Sequence, residues 1–131
     1  MKNKQGVALL MALFALIYIA LLGAAYVDMV TIDRQIVTNH LWDIRSLYIA
    51  DAGIEHAIYD LKQGGNGDIP RTEFPDTSDN YTYYTVEFIK KKGNLTTVES
   101  TSEIYQSQRT IRAEIAVSGA NARVEAWQEV E

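Results

Sequence analysis

The sequence predicts an α+β protein in which one long N-terminal helix precedes a small antiparallel sheet. Three observations predict it: an uncharged apolar run over Val7–Val27, a helical period of apolar residues over 28–63, and an apolar-polar alternation of period two after residue 80. Short turns between the alternating segments favour a meander of about four strands with one apolar face. Such a sheet is too small to bury that face by itself, so the second half of the helix is expected to cover it.

Composition limits the class of protein. The chain has 131 residues, of which 47% are hydrophobic and 22% charged, so it is neither a disordered tail nor a polytopic membrane protein. A formal net charge of −5 argues against nucleic acid as a direct partner. The absence of cysteine excludes disulfides, zinc-thiolate sites and thiol chemistry.

The first element is the apolar run itself. Val7–Val27 contains no charged residue, Asn, Gln or Pro, and as a helix it would be roughly 32 Å long, enough to cross a hydrocarbon core of about 30 Å. Lys2 and Lys4 precede the run, which places the N-terminus in the cytoplasm and the rest of the chain outside. The sequence therefore predicts a single-pass protein of the cytoplasmic (inner) membrane.

Two other interpretations of this run are open. A buried helix of a globular domain is disfavoured, because the run is apolar on all sides. A cleavable secretory signal is compatible with the basic start and with the small residues Gly23, Ala24 and Ala25. A membrane helix that stays attached to its domain is favoured, because nothing in the next segment breaks the helix.

That next segment, 28–63, contains no proline and a single glycine, Gly53. Apolar residues recur in it at helical spacing, and Gly64-Gly65 supplies a C-terminal stop. The residues predicted to pack against the sheet are Ile36, Ile44, Leu47, Ile54, Ile58 and Leu61.

The remainder is predicted to be a connecting loop and a sheet head. Residues 64–80 hold both prolines and read as the loop. The head, 81–131, is expected to contain the strands Tyr81–Lys90, Leu95–Tyr105, Arg109–Ser118 and Arg123–Val130. In the last of these, simple alternation places Val124 and Trp127 on opposite faces.

The sequence offers little for catalysis, and we predict that the chain is not an enzyme and needs no cofactor. His40 and His56 are sixteen residues apart on one helix, roughly 24 Å, so they cannot share a metal ion. The loop over 66–79 is a candidate calcium site by its residue types. Its spacing matches no EF-hand, and a solvated acidic loop is the favoured interpretation. Its ligands would be Asn66, Asp68, Asp76 and Asp79.

Three segments carry a resemblance to a known family. Lys2-Asn3-Lys4-Gln5-Gly6 followed by Val7-Ala8-Leu9-Leu10 is similar to a class III leader with its cleavage site. Tyr48–Ile58, with Ala50-Asp51-Ala52-Gly53-Ile54-Glu55, is similar to the A-x-A-G-[IL]-E-x-A segment of PilX-like minor pilins and GspK-like minor pseudopilins. Ala126-Trp127-Gln128-Glu129 resembles the closing strand of the same proteins. The chain thus resembles the type IV pilin and type II secretion pseudopilin superfamily.

The resemblance implies a division of the chain and a set of partners. Residues 1–6 would be a leader removed by prepilin peptidase between Gly6 and Val7, with Val7 then methylated at its amine. Residues 7–27 would be the transmembrane and filament-core half of the helix, and 28–63 the amphipathic half. The implied partners are the membrane, prepilin peptidase, the inner-membrane assembly platform, and other minor and major pilins or pseudopilins.

One departure bears on function. Most pilins carry Glu as the fifth residue of the mature chain, where this sequence has Met11. The resemblance therefore implies a minor subunit, at the tip or in an initiation complex, of a periplasmic pseudopilus or a cell-surface pilus. The alternative is a single-pass, signal-anchored extracytoplasmic binding module that does not polymerise.

Overall fold

The computed structural model describes residues 2–74 and 82–130, with side chains from Gly6 onward. One α-helix, α1, runs over Lys2–Lys62. Five strands follow: β1 (Ile69–Glu73), β2 (Thr82–Lys92), β3 (Leu95–Ile104), β4 (Ser107–Ser118) and β5 (Asn121–Val130). The strands form one antiparallel sheet in the order β1-β2-β3-β4-β5. The α+β class and the uninterrupted helix are confirmed.

α1 ends at Lys62, just before Gly64 and Gly65, where the sequence predicted its C-terminal stop. Gly64 adopts a φ of 89°, a conformation that other residues rarely accept, and the Gly65 N–H donates to the carbonyl oxygen of Asp60 at 2.9 Å. The Asp60 carboxylate accepts a further hydrogen bond from the Gly67 N–H at 2.9 Å. The carbonyl oxygens of Tyr59, Asp60 and Leu61 accept hydrogen bonds from the N–H groups of residues 63–65, and the chain then turns back toward the sheet.

The sheet has one strand more than the sequence predicted. β1 falls inside 64–80, which was predicted to be a loop throughout. Its signal is weak because the strand is short and contains Pro70, which is tolerated only where the lost N–H faces no neighbouring strand. Ile69 is buried and lies opposite Val86 of β2, so this edge strand is fixed by one core residue and its pairing with β2.

Two compact units divide the chain, Met1–Thr38 and Asn39–Glu131. The first contains only helix. The second, called the head below, contains the last part of α1 and all five strands. Its core lies between that part of the helix and one face of the sheet, and its buried apolar residues are Ile49, Ala50, Ile54, Ala57, Ile58, Leu61, Ile69, Tyr84, Val86, Val98, Ile104, Ile111, Ala113 and Ile115.

β5 differs from the predicted alternation. Val124 lies opposite Ile115 and Trp127 opposite Ala113, and both of these β4 residues belong to the core face. Cross-strand partners share a face, so Val124 and Trp127 are on the same side and not on opposite sides. The reason is an irregularity in the pairing between Glu114 and Ile115, which inserts an extra residue into β5 and resets its alternation.

Candidate functional site

The apolar surface of the Met1–Thr38 unit is the first candidate site. Its large apolar side chains from Val7 to Val37 include eighteen that are exposed, the least of them Ile17 at 48%. Soluble monomers rarely expose contiguous apolar patches beyond a few hundred Å², so a surface of this extent requires lipid or other helices around it. By length and composition, the helix can cross a membrane.

The residues assigned to leader processing lie on this surface. α1 is already helical at Lys2, and no atom lies within 4 Å of the position where a Cβ on Gly6 would stand. Val7 and Met11 are both exposed. The roles assigned to Gly6, Val7 and Met11 stay predictions.

The predicted packing residues divide into two groups along the helix. Ile54, Ile58 and Leu61 are buried in the core, and Leu47 packs against its edge. Ile44 is 37% exposed and Ile36 is 61% exposed, so neither belongs to the buried core of the head. Both follow the helical period, but the buried stretch of α1 begins only at Ser46.

Small residues set the distance between α1 and the sheet. Ala50 and Ala57 are fully buried, and a Cβ on Gly53 would overlap the Ser100 hydroxyl oxygen and approach Tyr84 Cδ2 to 3.0 Å. The A-x-A-G segment that carries the family resemblance therefore works in this chain as a close-packing segment. Its glycine is required by the neighbouring strand, because there is no room for a side chain.

A buried polar junction lies at the start of this close contact. The Ser46 and Ser102 hydroxyl oxygens are 2.7 Å apart, and the Ser102 hydroxyl also donates to the Ser46 carbonyl oxygen at 2.6 Å. Both side chains are fully buried, so these hydrogen bonds satisfy groups that would otherwise be costly to bury. In contrast, the buried hydroxyls of Thr96 and Ser100 have no hydrogen-bond partner among the described residues.

A charged network connects α1 to β4 and β5 at the same end of the head. Asp43 accepts a hydrogen bond from the Ser107 hydroxyl at 2.7 Å and pairs with Arg109 at 3.3 Å. Arg109 also pairs with Glu129 at 2.6 Å. The Ser107 hydrogen bond and the positive charge of Arg109 lower the pKa of Asp43, and the Glu129 hydrogen bond raises the pKa of Arg109.

This shift predicts a pH-dependent contribution to stability. Because the folded state lowers the pKa of Asp43, its stabilising effect is present above the ordinary aspartate pKa of about 3.9 and is lost as the pH falls through the folded-state value. We expect Asp43→Asn to lower the thermal unfolding temperature of the full chain modestly at neutral pH. At a pH low enough to protonate Asp43 in both states, the variant and the original chain should unfold together.

Asp51→Asn, at an exposed aspartate of the same helix, is the control for this measurement. An equal difference between the Asp43→Asn and original chains at both pH values would contradict the assignment. So would an equal effect of Asp51→Asn.

An aromatic cleft adjoins the charged network. Trp42 of α1 and Tyr105 of the β3–β4 turn contact each other, with ring centroids 4.5 Å apart and planes at 54°. The Arg45 guanidinium carbon stands 5.1 Å from the centroid of the Trp42 ring. Asn39, Trp42, Asp43, Tyr105, Gln106 and Ser107 line the cleft, whose volume is about 690 Å³.

Two of the four predicted calcium ligands lie within the described residues. Asn66 and Asp68 are bound to each other, with the Asp68 N–H donating to Asn66 Oδ1 at 3.0 Å, whereas Asp76 and Asp79 lie outside the described residues. The calcium site therefore stays a prediction. Within 2–74 and 82–130, no group of three or more His, Asp or Glu side chains is placed to hold a metal ion.

His56 Nδ1 lies 3.0 Å from the buried Tyr84 hydroxyl oxygen, a contact between helix and sheet, and burial raises the pKa of Tyr84.

The sequence did not point to the aromatic cleft. Trp42 and Tyr105 are far apart in the chain, and no spacing connects them. The predicted strands Leu95–Tyr105 and Arg109–Ser118 leave residues 106–108 for the turn between them, whereas Tyr105 and Gln106 are the residues between the paired Ile104 and Ser107.

Comparison with protein-family models, with curated proteins and with solved structures finds no match to this chain. Fold and site together define the chain as a small α+β protein with an N-terminal helix long and apolar enough to cross a membrane.

Proposed function

We propose that this chain is a minor pilin or pseudopilin, a structural subunit of a type IV pilus or a type II secretion pseudopilus. The observation that carries the proposal is that one helix, Lys2–Lys62, supplies both an unburied apolar segment and the packing face of the head. The resemblance of the leader-like start and of the close-packing segment to those proteins supports it. The chain performs no chemistry in this proposal.

In the proposed mechanism, the apolar segment of the helix moves from membrane lipid into contact with the helices of other subunits. While Val7–Val27 is in the inner membrane, lipid covers its side chains, and in a filament the corresponding helices of other subunits cover them. Cleavage after Gly6 removes Lys2 and Lys4, which changes the formal charge from −5 to −7. Cleavage thus has to precede assembly, because those two ammonium groups would otherwise be carried into an apolar filament core.

Intact mass measurement of the protein purified from membranes tests the proposal. The expected mass lacks residues 1–6 and includes one methyl group on the amine of Val7. The rival anchored module predicts an intact N-terminus, and a secreted domain cut near Ala25 predicts the loss of roughly twenty-five residues. Gly6→Ala, which leaves the apolar segment unchanged, is the matched variant and should keep its leader. Either rival mass would refute the pilin proposal.

Met11 motivates the further proposal that the subunit lies at the tip or in an initiation complex. A subunit without a carboxylate at this position leaves the N-terminal ammonium of a neighbour unpaired in an apolar core, which is costly. Repeated incorporation along a shaft is therefore disfavoured, and incorporation once at an end is tolerated.

Met11→Glu is accordingly expected to increase the amount of this subunit in sheared filaments, measured by immunoblot against the major subunit. Leu13→Glu is the matched control, since it adds the same charge to the same exposed surface at a different position, and it should reduce incorporation. Unchanged or reduced incorporation of Met11→Glu would contradict the tip assignment without touching the pilin proposal.

A further inference from the structure

The aromatic cleft of the head has the composition of a small-molecule site. Its volume of about 690 Å³ is within the range of ligand sites, about 300–1,000 Å³. Two aromatic rings, Trp42 and Tyr105, supply its apolar surface, and Tyr105 is 48% exposed. Asn39 and Gln106 also line the cleft, and a side-chain amide can both donate and accept hydrogen bonds.

The backbone at Tyr105 is unusual for a residue of its size. Tyr105 has a φ of 52° and is the only described non-glycine residue with a positive φ. It is the first of the two residues between the paired Ile104 and Ser107, a position where glycine is the preferred residue when φ is positive. A bulky aromatic residue thus occupies a position where the backbone conformation favours glycine, and residues in such conformations concentrate at functional sites.

The charged side chains around the cleft restrict the charge that a ligand can carry. Asp43 is already compensated by Ser107 and Arg109, which disfavours a cation as the ligand. Arg109 is compensated by Asp43 and Glu129, so it offers no free charge to an anion. Arg45 already stands against the Trp42 ring, the place that a ligand cation would take.

We propose that the cleft lined by Trp42 and Tyr105 binds a neutral carbohydrate. A sugar ring presents a C–H face that stacks on aromatic rings and hydroxyl groups that pair with side-chain amides and with the carboxylate of Asp43. The Ser107–Asp43–Arg109–Glu129 network holds α1, β4 and β5 together beside the cleft, so Asp43 and Ser107 are positioned before a ligand arrives. This site does not depend on whether the chain polymerises.

The test uses the fluorescence of Trp42 in the full chain. Trp42 and Trp127 are the two tryptophans, and Trp127→Phe leaves Trp42 as the single reporter. The protein is held in a zwitterionic detergent without a sugar headgroup and titrated with cellotriose, maltotriose and chitotriose. At least one of these should change the emission of Trp42 saturably, and Tyr105→Gly should weaken that binding about tenfold or more.

Tyr105→Gly also separates binding from folding. It removes the ring together with its contact to Trp42 and supplies the residue that the positive φ favours, so the head should remain folded, which denaturant unfolding of the variant checks. Tyr59→Ala, at an exposed tyrosine of α1 outside the cleft, is the control and should bind as the original chain does. The proposal is overturned if no oligosaccharide changes the emission, if Tyr105→Gly binds equally well, or if only tetramethylammonium or sulfate produces a response.

Discussion

Leucine in place of Gly53 is expected to lower the free energy of unfolding of the head by about 3 kcal/mol, the upper part of the range for overpacked cores. A Cβ alone would overlap the Ser100 hydroxyl oxygen and come within 3.2 Å of Val86 Cγ2, so a larger side chain must push α1 away from the sheet. Denaturant unfolding of the full chain, followed by tryptophan fluorescence, measures the loss, because both tryptophans lie in the head.

A leucine introduced elsewhere in the same helix is the control for this prediction. Gly23→Leu introduces the same side chain into the same helix at a place with no atom within 4 Å of the new Cβ, and it should leave the stability of the head unchanged. Equal losses for the two leucine variants would show that the effect is not one of close packing.

A double-mutant cycle identifies the contact itself. Gly53→Ala gains up to about 1 kcal/mol of helix propensity and loses more through overlap with Ser100. Ser100→Ala removes a buried hydroxyl that has no hydrogen-bond partner among the described residues, so alone it should be neutral or stabilising. In the double variant the overlap with the Ser100 hydroxyl is absent while the close approaches to Tyr84 and Val86 remain, so part of the stability should return. Strictly additive effects of the two substitutions would contradict this account.

The second large effect concerns the apolar surface of the Met1–Thr38 unit. We expect Leu13→Arg combined with Ile17→Arg to prevent stable membrane association, because two arginines near the middle of the apolar run cost roughly 5–7 kcal/mol of insertion free energy. Both side chains are exposed in the chain by itself, so the substitutions remove no internal contact. The measurement is the fraction of the protein that remains with membranes after alkaline extraction.

The matched control places the same two charges beyond the apolar run. Ile32→Arg combined with Ile36→Arg has the same spacing and alters side chains that are equally outside the core. It should leave membrane association intact. Loss of association in the control, or its retention in the Leu13 and Ile17 variant, would contradict the assignment of Val7–Val27 as the membrane segment.

These expectations show where the sequence was informative. The apolar run, the unbroken helix and the alternation in β4 are local patterns, and each is found as predicted. β1 was missed because a short strand is held by one core residue, Ile69, and carries a proline, so its local signal is that of a loop.

Other features depend on contacts that no local pattern records. The helical period continues from Ile36 to Leu61, but the period does not tell where along the helix the sheet begins. The extra residue in β5 places Val124 and Trp127 on the same face, whereas simple alternation places them on opposite faces. The sequence identifies Gly53 as the single glycine of its helix segment and as part of the A-x-A-G segment, but its need for space arises from Ser100, which is far away in the chain.

The order of the strands has a consequence for how the head is made. From β2 onward, each strand pairs with the strand before it in the chain. The described connections, β2–β3, β3–β4 and β4–β5, are turns of a few residues. Loop closure of that length is fast and costs little entropy. A chain emerging N-terminus first would therefore build its sheet progressively, because each strand after β1 pairs with one that is already present, and the unpaired edges at every stage are those of β1 and of the newest strand.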